Sequence, residues 1–198
     1  MAEILIDKDR FDFLQYAFFG GDKPFPAVSG RAYRDLCRTL RFHGESGTKY
    51  RDHVGRVLEA EITAMLSKPP DTQAGYDTWH RSLCDELIGY YASTGFEFNL
   101  GHAQKWVNMT MKYIYIYGQL DVTPVFDYLH VPLDSYVFGA VENDLGIKPP
   151  CSAWSKLTSY EQYIRYQKRI RAAVTAPPLR WEFQNWLSEA KRRNMNQE

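Results

Sequence analysis

Lys105 closes the run Gly101-His102-Ala103-Gln104-Lys105 at the opening of a strongly helical stretch, and Asp134 follows 29 residues later in Val131-Pro132-Leu133-Asp134. A primary amine and a carboxylate facing one hollow can open an N-glycosidic bond. The deprotonated amine attacks the sugar C1′, while the carboxylate steadies the cationic sugar or moves a proton. Free lysine titrates near ~10.4, so such an amine needs surroundings that release its proton. A helix N-terminus carries roughly half a positive charge and presents free N–H groups, which disfavour an ammonium and attract phosphate. This reading puts Lys105 in the first turn of its helix, beside a bound sugar phosphate. Asp134 precedes Ser135-Tyr136-Val137 and has the type of an N-cap, which would also hold its carboxylate rigidly. Taken singly, the lysine reads as a solvated surface group and the aspartate as a cap; only the pair suggests chemistry.

Around this pair, His102, Gln104, Trp106 and His130 are the residues expected to meet a substrate. His102 stands three residues before Lys105, close enough to pass protons. His130 stands beside the aspartate turn. His80 and Cys84 have the i, i+4 spacing of half a metal site, but no second pair completes it. They read as a core cysteine next to an exposed histidine. His43, with Arg41, reads as a surface group able to touch phosphate. No P-loop, HExxH, nucleophile elbow or kinase signature is present. Neither a metal nor an organic cofactor is expected.

Those residues must be positioned by helices, because the periodicity is helical nearly everywhere. An aromatic-rich first helix over 8–18 is stopped by Gly20-Gly21 and Pro24, and a second begins after Ser29. A third, about 49–67, repeats Val54, Val57, Leu58, Ile62 and Met65 at i, i+3, i+4 before Pro69-Pro70. Asp77 is the expected cap of the fourth. The fifth covers 102–117 and ends at Gly118. A one- or two-turn helix follows Thr123-Pro124, and another follows Asp134. Thr158-Ser159-Tyr160-Glu161 reads as a capping box. Pro177-Pro178 open the last helix, whose Trp181, Phe183, Trp186 and Leu187 are expected to face the core. The fold class is all-α, a compact bundle of about eight to nine helices. It forms a single domain over 1–198, or two packed lobes with 95–146 as the core of one.

With 198 residues the chain can bury a sizeable core. It has no run of ~18 apolar residues, so no membrane span is expected. The start, Met1 to Lys8, lacks a basic segment followed by a long apolar one, and no signal peptide is expected. Cys37, Cys84 and Cys151 stand far apart without CxxC spacing. That pattern points to a reducing cytoplasm and away from a cluster or structural zinc. Formal net charge is zero, yet it is polarised. Residues 148–198 hold ten Lys and Arg against four Glu, and Arg31 to Arg56 hold seven against three acids. Such a field can steer a polyanion although the total cancels.

The segment Gln104-Lys105-Trp106-Val107-Asn108-Met109-Thr110-Met111-Lys112-Tyr113, followed by Val131-Pro132-Leu133-Asp134-Ser135-Tyr136-Val137, resembles the core of the helix–hairpin–helix DNA glycosylase superfamily. The linker length and Lys112, seven residues after Lys105, are most similar to the archaeal 8-oxoguanine DNA glycosylase branch. The resemblance covers 95–146. It implies a helix–hairpin–helix glycosylase-like bundle acting on damaged double-stranded DNA, with Lys105 as the Schiff-base nucleophile and Asp134 as the assisting carboxylate. It also implies a DNA-gripping hairpin from Gly95 to Gly101 and a base flipped into an interhelical pocket. Phe96-Glu97-Phe98-Asn99-Leu100-Gly101 stands where the superfamily carries Leu-Pro-Gly-Val-Gly. Arg165, Lys168 and Arg169, on a helix that mixes cations with tyrosines, are further expected DNA contacts. Two other readings remain: a non-catalytic helical module binding protein or nucleic acid, and a helical hydrolase working through His80 or His130.

Overall fold

The computed structural model describes residues 7–21, 23–40, 47–118, 120–151 and 153–195. Among them the chain is all-α: α1 Lys8–Phe19, α2 Pro24–Leu36, α3 Thr48–Ser67, α4 Gln73–Ala92, α5 Leu100–Tyr117, α6 Ser135–Leu145, α7 Tyr160–Ala173 and α8 Pro178–Met195. Short 3₁₀ turns lie at Cys37–Thr39, Thr123–Tyr128 and Trp154–Lys156. None of these helices is long and apolar enough to cross a membrane. His43 and Arg41 lie outside the described residues.

The organising element is α5. Every residue from Leu100 to Ile114 is buried, so this helix has no solvent face and lies inside the bundle. It packs chiefly against α2 and α4, with its first turn under the Trp154–Lys156 turn. That approach needs a glycine. A Cβ on Gly101 would stand 2.1 Å from the Trp154 carbonyl oxygen, and the Gly101 N–H donates to Leu157 O at 2.8 Å. Other helices surround α5, and their inward residues join one apolar cluster running from Phe19 to Trp181.

Several boundaries differ from the sequence expectation for local physical reasons. Pro24 begins α2 instead of ending α1: its fixed φ suits the first helical position, where no N–H is needed. Thr72, not Asp77, caps α4 by accepting from Gly75 N–H. Asp77 lies inside that helix and binds His130 and Arg171 instead. The cap of α7 is Ser159, accepting from Gln162 N–H, one residue beyond the box expected at Thr158. On α8 only Trp181 is buried as expected; Phe183 and Trp186 are half-buried along a cleft and Leu187 is exposed.

Candidate functional site

Asp134 caps α6 through Oδ1, which accepts the Val137 N–H at 2.8 Å. Its second oxygen faces α5 and accepts from Lys105 Nζ at 2.6 Å. One carboxylate thus ends a helix and pairs with a cation on another. The lysine side chain is 4% exposed and the aspartate side chain 18%. Both line a cleft of about 740 Å³, a size suited to a small organic ligand or a nucleotide.

Two buried glutamines hold the turn that delivers Asp134. Gln104 on α5 donates to Leu133 O at 3.0 Å and accepts from Leu133 N–H at 3.1 Å. Gln167 on α7 does the same for Val131, at 2.8 and 3.1 Å. Each amide supplies a donor and an acceptor, so each replaces a neighbouring strand for one extended residue. Asn108 fixes the orientation of Gln104 by donating to its Oε1, and is itself bonded to His80 and Tyr163.

A second ion pair lies along the cleft. Lys112 Nζ donates to both oxygens of Glu182, at 2.8 and 2.7 Å, and sits 4.9 Å from the Phe183 ring centre and 5.8 Å from that of Trp186. Burial pushes the Glu182 carboxyl above its ordinary value, with Lys112 pulling the other way. A third pair, Arg31–Asp35 at 2.7 Å, closes the opposite wall, where Tyr113 donates to Asp35 and Arg31 lies over the Phe18 ring. Burial, followed by the Asp35 carboxylate, moves the Tyr113 phenol far upward, so it stays neutral.

The structure brings Lys105 and Asp134 together and sends the other expected substrate contacts elsewhere. Gln104 is a fully buried clamp. Trp106 is also fully buried, donates to Ser29 O and packs on Tyr33. His130 is buried between Tyr163 and Asp77, and burial lowers its pKa. His102 completes a capping box with Asn99, accepting the Asn99 N–H on Nδ1. Its pKa is pushed down to about 4, first by burial and then by Lys156. None of the four lines the cleft. Gln104 and Trp106 flank Lys105 on α5 and so point to either side of it, while His130 lies on the segment between the Thr123–Tyr128 turn and α6.

Lys105 does not stand at its helix terminus. α5 starts at Leu100, so Lys105 is its sixth residue, beyond the first turn. The N–H groups of Gly101, His102 and Ala103 are already taken, by Leu157 O and by Asn99, so they hold no phosphate. Gly101 is buried against the Trp154 carbonyl and cannot grip a ligand. Gly95 is an exposed turn glycine at φ 76. Arg165, Lys168 and Arg169 are exposed on α7 and lie outside the cleft lining. His80 is wholly buried, not exposed as expected. It is bonded to Asn108 and the Tyr160 hydroxyl, with Cys84 Sγ 3.8 Å away. Among the described residues, no group of three or more His, Cys, Asp or Glu is placed to hold a metal ion.

Sequence reasoning missed Glu182, placed Trp186 with the core, and read Arg31 and Arg34 only as part of the basic stretch Arg31 to Arg56. The signal for Glu182 was a carboxylate between Trp181 and Phe183, on the face of α8 otherwise given to large apolar rings. Compared with known proteins, the chain has no matching family model, no matching curated protein and no matching solved structure.

Proposed function

We propose that the chain is a DNA base-excision glycosylase of the helix–hairpin–helix type, acting on damaged double-stranded DNA with lyase activity through a Lys105 Schiff base. The observation that carries this reading is the 2.6 Å contact of the Lys105 amine with the Asp134 carboxylate on the wall of a cleft of about 740 Å³. A nucleotide turned out of a duplex brings its C1′ to such a wall, and the half-buried rings of Phe183 and Trp186 line the same cleft, where they can meet its base. Asp134 is the base within direct proton-transfer reach of Lys105.

In this mechanism the freed amine attacks C1′ and the bond from C1′ to the base breaks. The base leaves with the bonding electrons and takes up a proton. Asp134 faces the positive charge that develops on the sugar. Loss of the N–H proton and opening of the ring give an imine between Lys105 and the sugar. Removal of a C2′ proton then expels the 3′ phosphate, and water hydrolyses the imine to return the lysine.

Borohydride reduces that imine to a stable amine. Wild-type protein mixed with duplexes carrying oxidised bases or an abasic site is expected to give a covalent protein–DNA adduct, lost in Lys105→Ala. If no duplex of either kind gives an adduct with the wild type, the reading fails.

A further inference from the structure

The cations of the cleft are not all balanced. Arg31, Lys105 and Lys112 each have a carboxylate partner, whereas Arg34 and Arg38, both exposed, have none among the described residues. The Arg34 guanidinium instead donates to the carbonyls of Phe18 and Phe19 at the end of α1. That position gives Arg34 a second role in the surface. It lines the cleft and also a neighbouring hollow of about 600 Å³ between α2 and α3. The two hollows therefore meet at one arginine.

The second hollow is basic. Besides Arg34 it is lined by Lys23, Arg51 and Arg56 against Asp52 and Glu59. Arg51 is neutralised by Asp52 at 2.9 Å. Lys23 and Arg56 are exposed and, like Arg34, have no carboxylate partner among the described residues, so Glu59 is the one other acid on a wall with three cations that lack a carboxylate. Gly20, Gly21, Gly30 and Gly55 also border the hollow, which leaves parts of its wall without side chains. A Cβ on Gly30 would meet nothing within 4 Å. Uncompensated cations along an open groove that leads into a nucleotide-sized cleft match a chain of phosphates better than a single anion.

We propose that the α2–α3 groove carries the sugar-phosphate backbone of the strand whose nucleotide enters the cleft, with Lys23, Arg34 and Arg56 as its phosphate contacts. This rests on the glycosylase reading for the cleft, but its test does not need catalysis. Binding to a duplex bearing a tetrahydrofuran abasic analogue is measured by fluorescence anisotropy across a salt series. Each phosphate contact removed is expected to lower the slope of log affinity against log salt by about 0.9. Lys23→Gln/Arg56→Gln should therefore lose about two units of slope, and adding Arg34→Gln about one more. The double variant is decisive because neither side chain is buried or has a partner among the described residues, so folding is spared; thermal melting checks this.

An unchanged slope in Lys23→Gln/Arg56→Gln overturns the groove, even if borohydride trapping succeeds. Equal competition by polyglutamate and by duplex also overturns it, in favour of an acidic protein partner. Failure of the wild type to bind the duplex at low salt does so too. Salt-dependent binding that weakens as expected, with no borohydride adduct, sustains the groove and sinks the catalytic reading alone.

Discussion

The ion pair at the centre of the site can be weighed by a double-mutant cycle. Asp134→Asn preserves the cap, because asparagine and aspartate are equally good N-caps, so it isolates the charge. It leaves the Lys105 ammonium, 4% exposed, without its counter-ion. Lys105→Met leaves a carboxylate that is 18% exposed and still bonded to the Val137 N–H. Removing one partner of a fully buried pair costs about 3–5 kcal/mol, whereas a surface pair is worth ~1 kcal/mol or less. The pair sits on a cleft wall, nearer the buried limit for the lysine and intermediate for the aspartate. A coupling of about 2–3 kcal/mol is therefore expected. Asp134→Asn should be the more damaging single change, and the double variant should be more stable than the sum of the two losses allows. Equilibrium urea unfolding of the four proteins at neutral pH and low salt gives the coupling. A value below ~0.5 kcal/mol would mean that the two groups are solvated independently, and the description of the site as a desolvated pair would be wrong.

Two further outcomes follow from the packing. Gly101→Ala should cost about 3 kcal/mol, the upper end for overpacking, because the added methyl meets a backbone oxygen at 2.1 Å. Gly95→Ala, with nothing within 4 Å but φ +76, should cost only about 1 kcal/mol. Urea midpoints of the two variants check this, and a near-neutral Gly101→Ala would refute the close approach of the Trp154–Lys156 turn. His102, held neutral in the fold with its pKa lowered from 6.5 to about 4, contributes stability that is fully present above pH 6.5. That contribution is lost as the pH falls towards 4, because the unfolded chain takes up the proton first. His102→Gln keeps a side chain able to complete the capping box, so its unfolding free energy should fall less between those pH values; a profile parallel to the wild type would refute the burial of this ring.

The helices themselves were legible because their signals are local. Asp134 before an apolar run, glycines at 118 and 146, and the i, i+3, i+4 repeat of α3 specify caps and faces within a turn or two. The approximate ends of α3 and α5 and the start of α8 follow from the same rules. The start of α2 was misplaced because two prolines in one turn give the same signal for stopping one helix and starting the next.

What local rules leave open is direction around a helix that has no solvent side. From Leu100 to Ile114 every residue of α5 is buried, so its polar stripe of Gln104, Lys105, Asn108 and Lys112 does not mark a solvent side, and the sequence does not say which of them faces a cleft. Contacts with distant segments decide it: Leu133 takes Gln104, Asp134 takes Lys105, Ser29 takes Trp106 and Glu182 takes Lys112, across as many as 77 residues. Residue types alone defined the amine, the carboxylate and the helices that bear them. Their meeting, and the escape of the neighbouring histidines and tryptophan into the core, was set by tertiary packing, because a buried polar group is stable only where a specific partner from elsewhere in the chain reaches it.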